Sequence, residues 1–595
     1  MISLPRSPVI RLLILLLAAF IVLSFSLRNH SDQNYWDIKL RWQQQQQQQD
    51  QRQQQQQPQQ QPQQHLPAES PKERVPLNTF KVPENLYLTH DVAIPHPIPP
   101  WTKADTEMLY TSTGFDLKAD MLRLDYMPHE DLTDKPERLD FASIARAERL
   151  YRALWNHLNV LYQSSTLSGR DRDREKQLIA MAKTRPEIDF FLKLEKRLYP
   201  WVHHQGRQTS FSLQKSFKGR GIVFCVGNPQ FEFVITAIQA IRNRLKSTLP
   251  IQIFHMGDND LSQERQNYLR ELTTGIEVLD VTQILDDDHM RLGGWAIKPF
   301  AMLASSFEEV MFIDADAYFL QDPAVLFEDP GYQATGALFF YDRTLFPEWR
   351  EGSEWIKSML PIMSSFPPES RMFNLLSAHE QESGVVLINK KTRFPAMMAV
   401  CKMNGKWERE LYSYKVFHGD KETFWVGFEM VQEPYAFMRN YGGAIGEKFP
   451  SNEQSICGAQ LHEDYQGRPL WWNGGLYRNK NEGVTRYLEF GHWMSGGGHQ
   501  KHRERYTRDK ERMIQVLMDL GLGSSNQLTM EPGDATWDFK ESCLTGGLVH
   551  SLTQREKDLA NGYVGVDRIA REDGRKMNAG EKPDPKQHNW DAAIA

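Results

Sequence analysis

Four cysteines in 595 residues, Cys225, Cys401, Cys457 and Cys543, are too few and too scattered for a disulfide framework or a zinc site. Cys225 falls inside an apolar run and reads as a small buried hydrophobe. In an oxidising compartment the other three can supply one bridge, and spacing leaves the pair open. A formal net charge of -6 denies the chain a broad basic field, which argues against nucleic acid as a partner. No Gly-x-Gly-x-x-Gly follows the first strand-like run, so the dinucleotide-binding fingerprint is missing. Long hydrophobic runs are absent too, with one exception close to the N-terminus.

That exception is Leu12 to Leu27, preceded by Arg6 and Arg11 and followed by Arg28. Its length is at the short end for a membrane span, and the arginines before it predict a retained signal anchor with residues 1–11 cytoplasmic and the remainder lumenal. A cleaved signal peptide is the alternative, although Ala18 and Ala19 lie inside the run rather than after it. Gln43 to Gln64, nearly all glutamine with Pro58 and Pro62, cannot bury enough apolar surface to fold. Residues 28–98 therefore read as a disordered stem. Residues 99–215 have a helical pattern, with Ile144, Ala147, Leu150, Leu154, Leu158 and Leu161 on one face, and predict a helical arm.

From 216 to 525 short apolar runs alternate with amphipathic ones. Gly221–Val226, Leu249–His255 and Ile276–Val281 read as strands, with helices around Phe231–Leu245, Glu264–Leu272 and Ala296–Ser305 between and after them. This order predicts an α/β domain with a parallel sheet whose ligands bind at the strand ends. Trp471-Trp-Asn-Gly-Gly475 and Gly491 to His499 look like binding loops. Tyr506, Met513, Leu517 and Leu520 mark a last helix stopped by Gly521. Residues 526–595 are expected to be a partly disordered extension, with a polar, frayed tail from Gln554.

The chemistry concentrates in Val310-Met-Phe-Ile-Asp314-Ala-Asp316-Ala-Tyr-Phe-Leu320. An apolar strand ending in two carboxylates one residue apart sends Asp314 and Asp316 to the same side. Two hard oxygen donors there suit a divalent cation that also grips a diphosphate. Lys298, on the helix before this strand, offers a point charge for the same anion. Asp286-Asp-Asp-His289 has metal-binding residue types but no strand-end frame, and reads as a solvated turn.

Taken in order, Gly293-Gly-Trp-Ala-Ile-Lys298-Pro-Phe-Ala-Met302, Phe307 to Asp316, Phe319-Leu-Gln-Asp-Pro323, Glu382-Ser-Gly-Val-Val-Leu-Ile-Asn389 and His418-Gly-Asp-Lys-Glu-Thr-Phe-Trp425 resemble the fungal Golgi α-1,3-mannosyltransferase family. The resemblance covers roughly Gly219 to His492. It implies a GT-A-type, Rossmann-like nucleotide-sugar transferase domain on a single-pass type II Golgi membrane protein. It also implies transfer of mannose from GDP-mannose to mannose-containing glycans, with Mn²⁺ or another divalent cation and retention at the anomeric carbon. Asp314 and Asp316 match the family's Asp-x-Asp and would hold metal and diphosphate. Asp420 and Glu422 match where related retaining transferases place an acidic residue against the donor sugar, and Glu382, just before Ser383-Gly384, is a candidate for lining the same cleft. His462 and His492 are candidates for a third metal ligand, while Asn473 stands where some relatives would carry a histidine. The alternatives are another retaining hexosyltransferase, an α-1,2-mannosyltransferase, or a non-catalytic glycan-binding Golgi subunit.

Overall fold

Short apolar runs set between turn residues form the strands of two sheets. The computed structural model describes residues 81–98, 101–105, 141–343, 349–360, 362–449, 452–478, 486–497, 542–545 and 548–593, all within one unit, Pro76–Ala595. The expected tail, anchor, glutamine tract and late helix around Tyr506–Leu520 lie outside the described residues. Among the described residues no helix is long and apolar enough to cross a membrane.

The last part of the expected stem is structured. His90–Val92 forms β1, Leu86 and Val92 are buried, and the ring of fully buried His90 lies 2.8 Å from Asp329. The glutamine-rich composition has ended by this point, and these apolar residues supply the surface a stem lacks. The helical arm comprises α1 (Phe141–Gln163), α2 (Asp171–Met181) and α3 (Pro186–Leu198), and Ile144, Ala147, Tyr151, Leu154 and Leu158 bury the inner face of α1.

Two acids are sealed inside that arm. Tyr199 donates to Glu148, while Glu195 accepts from Tyr151 at 2.9 Å and from the Ser210 backbone at 2.9 Å. Burial pushes Glu148 up to about 8 and Glu195 up to about 7, against the lowering effect of those hydrogen bonds. The folded chain thus keeps protons that the unfolded chain releases, so stability falls as pH rises from the ordinary carboxylate range to about 8. Glu148→Gln keeps the acceptor for Tyr199 and has no proton to lose. Its melting temperature is expected to fall less than the parent's between about pH 5.5 and pH 8, as followed by circular dichroism.

Next come β2 (Arg220–Cys225), α4 (Phe231–Gln239), β3 (Ile251–His255), α5 (Gln263–Glu271), β4 (Ile276–Asp280), α6 (Ile297–Ala304) and β5 (Glu309–Ile313). This is the expected alternation, and β4, β3, β2 and β5 are parallel neighbours. All five residues of β3 are buried, as the near-continuous apolar runs of a doubly covered parallel sheet require. After β6 (Ala317–Phe319) come β7 (Ala337–Tyr341), β8 (Gln381–Asn389), α7 (Phe394–Met403), α8 (Thr423–Val431) and β9 (Ala436–Met438). The first sheet runs β1-β9-β7-β8-β5-β2-β3-β4, with β8 antiparallel to β5.

The chain turns out of this sheet directly after Asp316. Strand β6 joins a second, antiparallel sheet made with β10 (Gly443–Phe449), β11 (Asn452–Glu463), β12 (Pro469–Asn473), β13 (His492–Met494), β14 (Ser542–Thr545) and β15 (Val549–Ser551). Cys457 on β11 is disulfide-bonded and has Cys543 on β14 as its register partner; Cys225 and Cys401 are free thiols. Trp471 and Trp472, expected in a binding loop, are instead fully buried in β12. Trp471 stacks on His462, and Trp472 packs on Tyr318 and Tyr563.

The tail from Gln554 is not frayed. It forms α9 (Gln554–Asn578), begun by a capping box in which Glu556 accepts from the Thr553 backbone at 2.7 Å. Leu559, Ala560, Tyr563, Val566 and Ala570 are buried along one face, and Tyr563 donates to the Phe319 carbonyl at 2.7 Å.

Candidate active site

Strand ends of the first sheet open into a cavity of about 950 Å³ whose lining includes Lys298, Asp314, Asp316, Glu382, Asp420 and Asn473. Asp314 leaves β5 with its backbone N–H on the Gly384 carbonyl of β8 at 2.8 Å, while the Asp316 carbonyl accepts from Gly475 at 3.1 Å. The two carboxylates therefore stand where the sheets meet. A Cβ at Gly384 would lie 3.0 Å from both Asn473 Nδ2 and Glu382 Oε1, so a side chain there would press on both.

Lys298 sits in the first turn of α6, beside Pro299, which costs no hydrogen bond there. Its buried Nζ is 2.9 Å from Asp314 Oδ2 and 3.8 Å from Asp420 Oδ2. Burial alone would lower the lysine, but Asp314 and Asp420 together hold it charged, above its ordinary value. Burial pushes Asp314 up to about 7 despite Lys298, with Asp316 adding to the rise, and raises Asp420 as well. Asp420 lies in the turn before α8, and its Oδ2 is buried without a hydrogen-bond partner.

Glu382 is the more committed carboxylate. Its Oε1 accepts from the Gly384 N–H and from Asn473 Nδ2, each at 2.8 Å, and its Oε2 lies 3.8 Å from Lys421 Nζ. Lys421 also reaches Asp342 at 2.5 Å. Neither Lys421 nor Asp342 is among the residues picked out by sequence. Asp342 directly follows β7, so the strand-end rule that selects Asp314 would have found it, and Lys421 sits between the acids of Gly419-Asp-Lys-Glu.

Three expected site residues are not brought to the cleft. Glu422 is fully buried and points into the core, where it accepts from the Glu380 N–H at 2.9 Å and from Trp425 Nε1 at 2.5 Å. Residues two apart in this tight turn face opposite ways, so Asp420 lines the cavity and Glu422 does not. Glu422→Gln must point an amide donor at one of those donors. It is expected to lower stability by about 2 kcal/mol while changing turnover per folded molecule far less than Asp420→Asn, as thermal melts and active-fraction assays would show. His462 is buried against Trp471 and Phe340, and burial drives its ring down to about 3. His492 is on β13, away from the cavity lining. Asp286 caps a short helix and lies 3.1 Å from His289, consistent with the expected turn.

Among the described residues no three His, Cys, Asp or Glu side chains gather closely enough to cage a metal. What the cleft offers is an open donor set: a strand-end carboxylate pair, a lysine beside it, and buried oxygens of Asp420 and Asn473 that no donor satisfies. Such a site suits a ligand that brings its own oxygens to a shared cation.

Residues 219–463 match a family model described as "Mannosyltransferase putative". The chain is 29% identical over 376 residues to MNN14 of Candida albicans, covering 53% of this chain and 52% of that protein. It is 27% identical over 302 residues to the alpha-1,3-mannosyltransferase MNT3 of Saccharomyces cerevisiae (44% and 47%), and 24% identical over 396 residues to the alpha-1,3-mannosyltransferase MNN1 of the same yeast (57% and 50%). The chain thus spans about half the length of the curated relatives it matches. Among solved structures it is similar to the galactosyltransferase LgtC, at 16% identity and a TM-score of 0.24 over 35% of this chain and 70% of that one. It is also similar to mouse xyloside xylosyltransferase 1, at 13% and 0.24 over 36% and 84%. Likenesses this slight carry no argument about the site. The sequence match does not depend on them: it begins at the first parallel strand and encloses Lys298, Asp314, Asp316, Glu382 and Asp420, and through this region the chain is similar to fungal α-1,3-mannosyltransferases.

Proposed function

We propose that this chain is a metal-dependent retaining mannosyltransferase that moves mannose from GDP-mannose to a mannose-containing glycan through an α-1,3 linkage. The observation that carries the proposal is the strand-end cleft, where the carboxylates of Asp314, Asp316, Glu382 and Asp420 outnumber the lysines. An excess of buried negative charge is costly unless a cation offsets it. The residues fit such a group: Asp314 and Asp316 would hold Mn²⁺ or another divalent cation through hard oxygen donors, and the ion would supply charge stabilisation to the departing diphosphate. Lys298 adds a fixed positive charge on the same side.

Asp420 is the carboxylate with an oxygen to spare, so it is the one suited to accept a donor-sugar hydroxyl or to oppose positive charge at an oxocarbenium-like carbon. Glu382, held by Gly384, Asn473 and Lys421, shapes the wall beside it. The transferred mannose and the linkage are supported by the names of the relatives, and a Golgi type II location by the apolar run at 12–27 behind two arginines.

The test is incubation of the full-length chain with a panel of nucleotide sugars, Mn²⁺ and an α-mannoside acceptor, with nucleotide release and product linkage measured. The expected result is GDP release from GDP-mannose alone, lost on chelation, with an α-1,3-linked product. Turnover of a different donor would replace the substrate. Saccharide binding without nucleotide release would replace the enzyme with a glycan-binding subunit.

A further inference from the structure

Trp295 is the only exposed tryptophan among the described residues, at 51% of its surface, and it lines the cleft. It sits in the Gly294–Ala296 turn, one helical turn before Lys298. Gly294 has φ +55, and the space its Cβ would occupy is open. The indole lies against the backbone of Gly419, whose φ is +70 and whose Cβ, were one present, would meet Trp295 Cε3 at 2.7 Å. The His418 ring is 5.3 Å away, centroid to centroid. Gly419 immediately precedes Asp420, and Trp295 and Asp420 line the same cavity.

A large flat apolar face held out in a cleft of carboxylates and lysines is poorly placed for core packing, but it matches a ligand with one apolar face and a polar rim. A hexopyranose is such a ligand, with C–H bonds on one face and hydroxyls around its edge. Resting on the sugar-transfer reading above, we propose that Trp295 is a stacking platform for a hexopyranose ring, with Asp420 at the hydroxyl rim and Gly419 kept side-chain-free so that the indole can lie flat. The sugar could be the acceptor's terminal residue or the donor's transferred one, and the chemistry is the same.

The experiment is isothermal titration of the full-length chain and its Trp295→Ala and Trp295→Phe variants with an α-linked mannobiose, with GDP-mannose and with GDP. Loss of the platform is expected to weaken sugar binding about ten-fold in Trp295→Ala, whereas Trp295→Phe, which keeps an aromatic face, stays within about three-fold of the parent. Weakening confined to mannobiose assigns the platform to the acceptor; weakening of GDP-mannose beyond that of GDP assigns it to the donor sugar. Equal loss for GDP alone, no change in Trp295→Ala, or no saccharide binding by the parent overturns the proposal. Nucleotide release by the parent decides the transfer reading separately, so failure of one is distinguishable from failure of the other.

Discussion

Asp316→Asn and Asp314→Asn each lower sugar transfer by about a thousand-fold, the size of effect seen when one charge-stabilising group is lost from a transition state. Both substitutions keep the side-chain shape, and the amide that replaces the Asp314 carboxylate still offers an oxygen to Lys298 Nζ, which the parent carboxylate meets at 2.9 Å. The melting temperature is therefore expected to stay within a few degrees of the parent's, because each change also removes a negative charge from a partly buried, acid-rich cleft. Nucleotide release measured across a Mn²⁺ titration checks the result. The variants should need more cation as well as turn over more slowly. Parent-like turnover in either one would remove the strand-end pair from the reaction.

How far such residues can be read from sequence depends on whether local pattern and tertiary direction agree. Asp314, Asp316 and Lys298 are legible because an apolar strand and a helix of fixed period set their direction before any tertiary contact forms. Asp420 and Glu422 look equivalent in sequence, yet the turn before α8 sends one to the cleft and the other to the Glu380 and Trp425 donors in the core. No periodicity distinguishes them.

Trp471 and Trp472 mislead for a related reason. Alternation puts them on opposite faces of β12, and both faces are covered, by His462 and Phe340 on one side and by Tyr318 and Tyr563 on the other. The Gly-Gly that follows suggests a loop one strand too early. In α9 the dense charge hides a regular apolar face, Leu559, Tyr563, Val566 and Ala570, which becomes visible only when the surface of α4 and the second sheet is there to cover it. A third-ligand histidine cannot be judged from spacing, since His462 and His492 lie on strands of the second sheet whose register is set by long-range pairing.

Lys298→Met separates the electrostatic from the structural part of the site. In the parent, one buried ammonium faces Asp314 at 2.9 Å and Asp420 at 3.8 Å. Removing it leaves two carboxylates in a desolvated cleft with their shared counter-charge gone, and breaking a buried pair from one side costs about 3–5 kcal/mol. The single variant is thus expected to melt well below the parent and to lose transfer by about a hundred-fold or more. The double variant Lys298→Met with Asp314→Asn removes one charge of each sign, so it is expected to regain most of the lost stability. Turnover should not return, because the cation-binding carboxylate is gone as well. A double-mutant cycle in chemical denaturation, run beside nucleotide release, reads both quantities on the same four proteins. If the double variant stays as unstable as Lys298→Met, then the lysine acts through packing against Phe312, over whose ring its Nζ lies 5.4 Å from the centroid, rather than as the counter-ion of the strand-end carboxylates.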